Sequence, residues 1–325
     1  MTERPERDRT AVPTRRLGGS PLEVSALSLG SWRTFERIQR DQGLAVMEAA
    51  RAAGITFFDD ARYDDETKTA PIPTGYSEVV FGELFARSGY ERSEVVVANK
   101  LWWEFWPQQS AAEEVDESLG RMGFDHLDVV YSSTLPDDLP LEVVVESIAG
   151  LLESGRARHW AIVNWPADTV LGVADRCEST GVPQPCAVQL PYSLLRRDWV
   201  EGPDMRRALE RTGASVVASA VLAGGALTGK YAQGATGRLS DRPDNPVLRA
   251  AAEPARALRS LALEWDTSPA ALAIVFALAN PTVASVLFGA TTPEQVRQNC
   301  EATVLLERLD REQLERLGLV GNPPT

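Results

Sequence analysis

Lysine is almost missing from this chain: its 325 residues hold three, Lys68, Lys100 and Lys230, against thirty arginines. Arginine stays charged above pH 12, whereas the lysine ammonium is a compact charge whose pKa moves on burial. A lysine kept among arginines therefore marks a place where proton chemistry is wanted, unless genome composition left these three by chance. Lys100 and Lys230 end or follow strand-like apolar runs. Histidine is scarcer still, with only His126 and His159. Three cysteines, Cys177, Cys186 and Cys300, lack metal-type spacing, which argues against a disulfide framework or a zinc site and leaves free buried thiols. Positive charge is also lacking. A formal net charge of −13 and a pI near 4.8 speak against nucleic acid or an anionic membrane as a partner. No stretch approaches the roughly 20 apolar residues of a membrane span, and MTERPERDRT has no signal-peptide centre, so a cytoplasmic protein acting on small molecules is expected.

What is present is core material, at 44% apolar residues. Residues 1–13 carry charge and proline without apolar periodicity and read as a disordered tail, with order from Arg15 and one domain over 14–325. Short β-rich runs then alternate with amphipathic helical runs. VSALSLGSW, ITFFDDA, VVVANK, LDVVYSS, ARHWAIVNW, CAVQLPYS, SVVASAVLAG and SVLFGA are eight strand candidates. Continuous apolar strands between amphipathic helices imply a parallel sheet covered by helices. Eight such units fit a (β/α)₈ barrel, whose active site lies at the C-terminal strand ends; the alternative is an open doubly wound sheet. No G-x-G-x-x-G follows the first strand, which removes the main signature of a Rossmann domain.

The strand ends supply the candidate site residues. They are Ser31 and Trp32, then Asp59, Asp60 and Tyr63, then Lys100, Trp102 and Trp103; Ser132, Ser133 and Thr134 follow, then Asn164, Trp165, Gln189 and Tyr192. A carboxylate, a phenol and an ammonium in proximity make an acid group. The ammonium favours phenolate and lowers the tyrosine pKa from about 10, and the carboxylate orients the lysine. A tyrosine so tuned can donate a proton near neutrality.

FFDDARY, VVVANK, LDVVYSS, AIVNW, AVQLPYS, VLAGGALTGKY and FGATTPEQVRQN, in that order, resemble the aldo-keto reductase family. The likeness is greatest to the branch with potassium-channel β-subunits and bacterial stress-response reductases. It runs from RRLGGSPLEVS to the last helix and implies a (β/α)₈ TIM barrel with an N-terminal β-hairpin, a nicotinamide cofactor and oxidoreductase activity. The family's catalytic tetrad then falls on Asp59, Tyr63, Lys100 and a histidine ending the fourth strand. Two positions depart. Tyr63 stands four residues after Asp59 where the family usually has five, and an insertion, DDETKTAPIPTGY, makes Tyr76 a conceivable substitute. Ser133, with Thr134 beside it, occupies the histidine position. A hydroxyl can donate a hydrogen bond but is a weaker electrophile than an imidazole. An iminium, already cationic, would suffer less from that loss than a ketone.

The resemblance also implies the cofactor contacts. Asn164 and Gln189 would hold the nicotinamide amide, and Ser219 takes the place of a stacking aromatic. Lys230 and Arg238 would grip the pyrophosphate, with Ser31, Trp32, Leu222 and Gly224 lining the groove. Gly289 and Thr291, opening a helix, would receive the adenosine phosphate, with Gln295, Gln298 and Asn299 near the adenine. NADPH is expected, with NADH possible. Trp32, Trp102, Trp103, Tyr131 and Trp165 would wall an apolar substrate pocket, and Glu104 with Asp64 or Asp65 would give its mouth a negative field. Two functions follow: an NADPH-dependent reductase of carbonyls or imines, and a nucleotide-sensing regulatory subunit with little turnover. No metal is expected, and oligomeric state is open.

Overall fold

The computed structural model describes residues 11–66, 68–234, 237–240 and 244–321. Strands β1 (Thr14–Arg16) and β2 (Glu23–Ser25) pair as an antiparallel hairpin. Eight parallel strands follow: β3 (Leu27–Gly30), β4 (Phe57–Asp59), β5 (Val96–Leu101), β6 (Leu127–Ser132), β7 (Ala157–Val163), β8 (Ala187–Pro191), β9 (Ser215–Ser219) and β10 (Val283–Phe288). They close in the order β10-β3-β4-β5-β6-β7-β8-β9. This is a (β/α)₈ barrel with an N-terminal hairpin, and every expected strand contributes to it.

The helices form the outer ring: α1 (Arg40–Ala52), α2 (Tyr76–Arg87), α3 (Ala111–Met122), α4 (Leu141–Glu153), α5 (Ala167–Thr180), α6 (Asp198–Glu201), α7 (Pro203–Thr212), α8 (Pro246–Glu264), α9 (Pro269–Leu278), α10 (Pro293–Arg308) and α11 (Arg311–Gly318). Their starts follow from local chemistry. Ser110 and Glu113 form a reciprocal capping box on α3, satisfying backbone N–H groups that have no helical acceptor. Pro269 and Pro293 sit in first turns, where the missing N–H is harmless. Among the described residues no single helix is long and apolar enough to cross a membrane.

Alternation along the strands divides the apolar residues into two sets. Phe57, Ala98, Val129, Tyr131, Ala161, Val163 and Val217 fill the barrel interior with Leu17 and Val24 of the hairpin, which floors it. Phe58, Val97, Val130, Ile162 and Ala218 face the helices. At Gly18, φ is +55° and an added Cβ would lie 2.2 Å from Cys186 O, so the hairpin turn presses on the barrel floor as only glycine allows. Val12, placed in the tail by composition, is buried and donates its N–H to Ala53 O at 2.8 Å. Most of the expected tail, residues 1–10, lies outside the described residues.

Candidate active site at the strand ends

Strand register brings the acid group together. Asp59 ends β4 and Lys100 lies near the end of the adjacent β5, both pointing into the barrel and both buried. Lys100 Nζ stands 2.5 Å from Asp59 Oδ1 and 3.2 Å from Tyr63 Oη. The shortened Asp-to-Tyr spacing is absorbed by a tight turn in which Tyr63 N bonds Ala61 O at 2.9 Å. The inserted segment folds back as a narrow loop, with Asp64 bridged to Thr74 and Gly75 N bonded to Tyr63 O at 2.9 Å. Tyr76 points elsewhere: its hydroxyl accepts from Arg40 at 2.9 Å on α2.

The electrostatics correct one expectation. Burial pushes the Tyr63 phenol up to about 12, with Lys100 pulling the other way and Asp59 and Asp60 adding to the rise. Desolvation thus outweighs the ammonium, and the phenol is not tuned downward in this site. For Lys100, burial disfavours the charge, but Asp59 and Tyr63 reverse that and its pKa is raised. The ammonium is therefore held protonated beside a protonated phenol.

Ser133 is buried where the family histidine would stand, its carbonyl accepting from Trp165 Nε1 at 2.6 Å. Neither histidine is near. His126 precedes β6 and His159 lies in the first half of β7, toward the other end of the barrel. Gln189 Nε2 donates to Asp59 Oδ2 at 2.8 Å, so this glutamine is also a brace for the carboxylate. Asn164 follows β7 with φ +61°, and its side chain is exposed. The Ser31 hydroxyl is buried and donates to Asp60 Oδ1.

The aromatic residues separate. Trp32 is 45% exposed at the rim; it and Trp102 flank the Tyr63 ring at centroid distances of 6.5 and 6.0 Å. Trp103 and Trp165 are buried in the core; Trp103 Nε1 donates to Ser132 Oγ at 2.9 Å. Tyr131 lies inside the barrel, with Lys100 Nζ 5.9 Å from its ring centre. The side chains that reach the mouth thus come from Trp32, Tyr63 and Trp102, joined by the exposed Phe105, whose ring lies 5.3 Å from the Arg62 guanidinium and which no strand-end position distinguishes from its neighbours. Of the acids expected at the mouth, Glu104 pairs with Arg62 at 2.5 Å and Asp65 Oδ2 accepts from Ala70 N at 2.6 Å; the neighbouring Glu66 pairs with Arg33 and Arg37 at 2.8 and 2.9 Å.

Beside the acid group lies a cationic groove. Arg238 donates to Trp32 O at 2.8 Å and stacks on the Trp32 ring at 5.3 Å. Its pKa is lowered by burial and then by Arg33, and that of Lys230 by burial and then by Arg238. Among the described residues Lys230 has no carboxylate partner. Mutually opposed, half-buried cations of this kind fit an anion. The Arg238 guanidinium lies against the bare backbone of Gly289, where a Cβ would stand 2.2 Å from Arg238 and 2.8 Å from Thr34 Oγ1. Thr291 N is covered by the Gln295 side chain at 2.8 Å, and Gln298 bonds Glu294 at 2.8 Å. Asn299 is buried. Ser219, Leu222 and Gly224 flank the loop after β9, where Gly224 takes φ +66° and its carbonyl accepts from Tyr231 at 2.7 Å.

A closed parallel barrel that gathers Asp59, Tyr63 and Lys100 at its strand ends, with the cations Lys230 and Arg238 after the later strands, has the frame of a barrel oxidoreductase. The chain belongs to the aldo/keto reductase family, whose model matches residues 26–319. It is 29% identical to a probable voltage-gated potassium channel subunit beta of Oryza sativa subsp. japonica, over 94% of this chain and 95% of that protein. It is 28% identical to a second probable subunit of that kind from Arabidopsis thaliana, over 91% and 92%. It is also 28% identical to L-glyceraldehyde 3-phosphate reductase of Escherichia coli strain K12, over 89% and 86%.

Proposed function

We propose that the protein is an NADPH-dependent reductase of a small carbonyl or imine substrate, with Tyr63 as the proton donor. The observation that carries this reading is the placement of Lys100 Nζ within 3.2 Å of Tyr63 Oη and 2.5 Å of Asp59 Oδ1. Bound nicotinamide would supply the hydride. Lys230 and Arg238 would hold its pyrophosphate and Asn164 its amide, and Gln189, with Nε2 on Asp59, would offer that amide its Oε1. Tyr63 delivers a proton to the substrate heteroatom, and Lys100 stabilises the phenolate left behind. Asp59 keeps the ammonium on the phenol, while Trp32 and Trp102 enclose the ring and exclude water.

Serine at position 133 lowers the electrophilic help given to a neutral carbonyl, which favours an iminium. That preference rests on the missing imidazole, since Glu104 at the mouth is paired with Arg62. The test is NADPH oxidation with a panel of aldehydes and cyclic imines. With an aldehyde, Tyr63→Phe should lower kcat by about 10²–10⁴ while leaving NADPH binding, read by tryptophan quenching, unchanged. Unchanged aldehyde turnover in that variant would remove Tyr63 as the acid. Tight NADPH binding without turnover of any panel member would favour a regulatory subunit instead, in keeping with the names of the plant relatives.

A further inference from the structure

A buried polar chain runs behind the acid group, on the side of the barrel wall that faces the helices. Alternation along β5 puts Ala98 inside the barrel and Leu101 outside it, so Asn99 faces outward while its neighbour Lys100 faces the site. Asn99 Oδ1 accepts the Lys100 backbone N–H at 2.5 Å, and its Nδ2 donates to Glu78 Oε1 at 2.9 Å. The other Glu78 oxygen accepts from Arg121 Nε. Asn99 and Glu78 are fully enclosed between the strands and α2 and α3. Arg121 lies against Gly75, where an added Cβ would stand 2.6 Å from its Nε, and Gly75 is the residue bonded to the Tyr63 carbonyl. One chain of contacts therefore reaches the backbone of both Lys100 and Tyr63.

A buried carboxylate and amide cost free energy that apolar residues at these positions would avoid. Fastening α2 to α3 would need only Glu78 and Arg121. Asn99 adds something different, because the paired register of β4 and β5 ends at Asp59 opposite Ala98. Lys100 lies beyond it, and the side chain of Asn99 takes up its N–H. We propose that Asn99, held by Glu78 and Arg121, is a positioning residue that fixes the Lys100 ammonium relative to Tyr63. This rests on the reading of Tyr63 and Lys100 given above. Asn99 touches neither substrate nor cofactor; it acts through the Lys100 backbone.

The pair Glu78 and Asn99 permits an isosteric exchange. In the Glu78→Gln, Asn99→Asp double variant, the new amide donates to the new carboxylate, which still accepts the Lys100 N–H, and charge is conserved. Each single change instead sets like groups against each other. Because the chain has three lysines, selective ¹⁵N-lysine labelling leaves a spectrum in which the Lys100 amide can be followed alone. The single variants should shift that amide and lower kcat per folded molecule by about ten- to a hundredfold, as misplacement of a catalytic group does. NADPH affinity should stay within about twofold, and the double variant should restore both the shift and kcat to within about threefold. An unmoved Lys100 amide, unchanged kcat in the single variants, or a folded double variant that recovers neither would overturn the proposal. If the wild type turns over no substrate, the reductase reading fails, and the amide shifts decide the positioning claim by themselves. If the buried single variants do not fold, Arg121→Gln loosens the same chain from its partly exposed end. There the same two readouts should move in the same direction, and unchanged values refute it.

Discussion

Asp60 offers a quantitative check on the electrostatics behind the site. Its carboxyl is fully buried. Oδ1 accepts from Ser31 and from Ala61 N at 2.7 Å, and Oδ2 has no partner among the described residues. Burial, and after it the charge of Glu78, pushes its pKa up to about 8, against about 3.9 in an unfolded chain. Between those values the folded protein holds a proton that the unfolded chain has released. The resulting stabilisation is full below pH 4, declines as pH rises, and is gone above about pH 8. One proton corresponds to about 1.4 kcal/mol per pH unit, or roughly 2–3 kcal/mol between pH 5 and pH 7. Asp60→Asn imitates the neutral acid in shape and keeps the acceptor for Ser31 and Ala61, but it does not titrate. Its stability relative to wild type should therefore rise by about 2–3 kcal/mol from pH 5 to pH 7. Guanidinium unfolding of both proteins, followed by tryptophan fluorescence across that range, measures the difference and cancels groups common to both. A difference constant to within about 0.5 kcal/mol, or one that falls with pH, would show that Asp60 is ionised in the fold and refute the reasoning.

Two glycine substitutions probe the groove and the helix ring separately. Gly289→Ala places a methyl group 2.2 Å from the Arg238 guanidinium and 2.8 Å from Thr34 Oγ1; it should weaken NADPH binding by about tenfold or more in a fluorescence titration while thermal unfolding changes little. Gly82→Ala sets a Cβ 2.2 Å from Met122 O, a backbone atom that cannot swing aside; it should cost about 1–3 kcal/mol or more in denaturant unfolding, with NADPH affinity of the folded protein retained.

The barrel was legible because its signals are cumulative. Each strand reads as an apolar run, each helix as an amphipathic stretch, and eight such units leave few other architectures. Asp59 and Lys100 were legible for the same reason, as polar residues ending apolar strands. The aromatic residues were harder, because a tryptophan at a strand end can turn inward or outward with a small change in the loop. Trp102 and Trp103 are neighbours, yet Trp103 takes φ +63° and is buried while Trp102 flanks Tyr63. The sign of the Tyr63 shift is not legible from the sequence, because a partner list gives the attractive ammonium and omits the desolvation that packing around the ring supplies. The charge at the mouth was hard to read for a similar reason: Glu104 counts as a lone acid in the sequence, while Arg62, which pairs with it, comes from a different loop.

That pairing bears on selectivity. With Glu104 held by Arg62 and Glu66 by Arg33 and Arg37, those acids exert little net pull on a cationic substrate, and at physiological salt the screening length is about 8 Å. Discrimination then falls on shape and on the proton. The rim side chains of Trp32, Trp102 and Phe105 offer flat apolar faces, and the acid behind them has a pKa of about 12. Such an acid gives up its proton readily only to a strongly basic atom, such as the nitrogen or alkoxide that forms as hydride arrives. Proton transfer should accordingly follow or accompany reduction rather than precede it. A substrate that enters already protonated on nitrogen would need nothing from Tyr63 at that stage. Tyr63→Phe should therefore penalise an aldehyde more heavily than an iminium formed from the same carbon skeleton. Equal losses for the two would place the phenol's role in binding rather than in proton transfer.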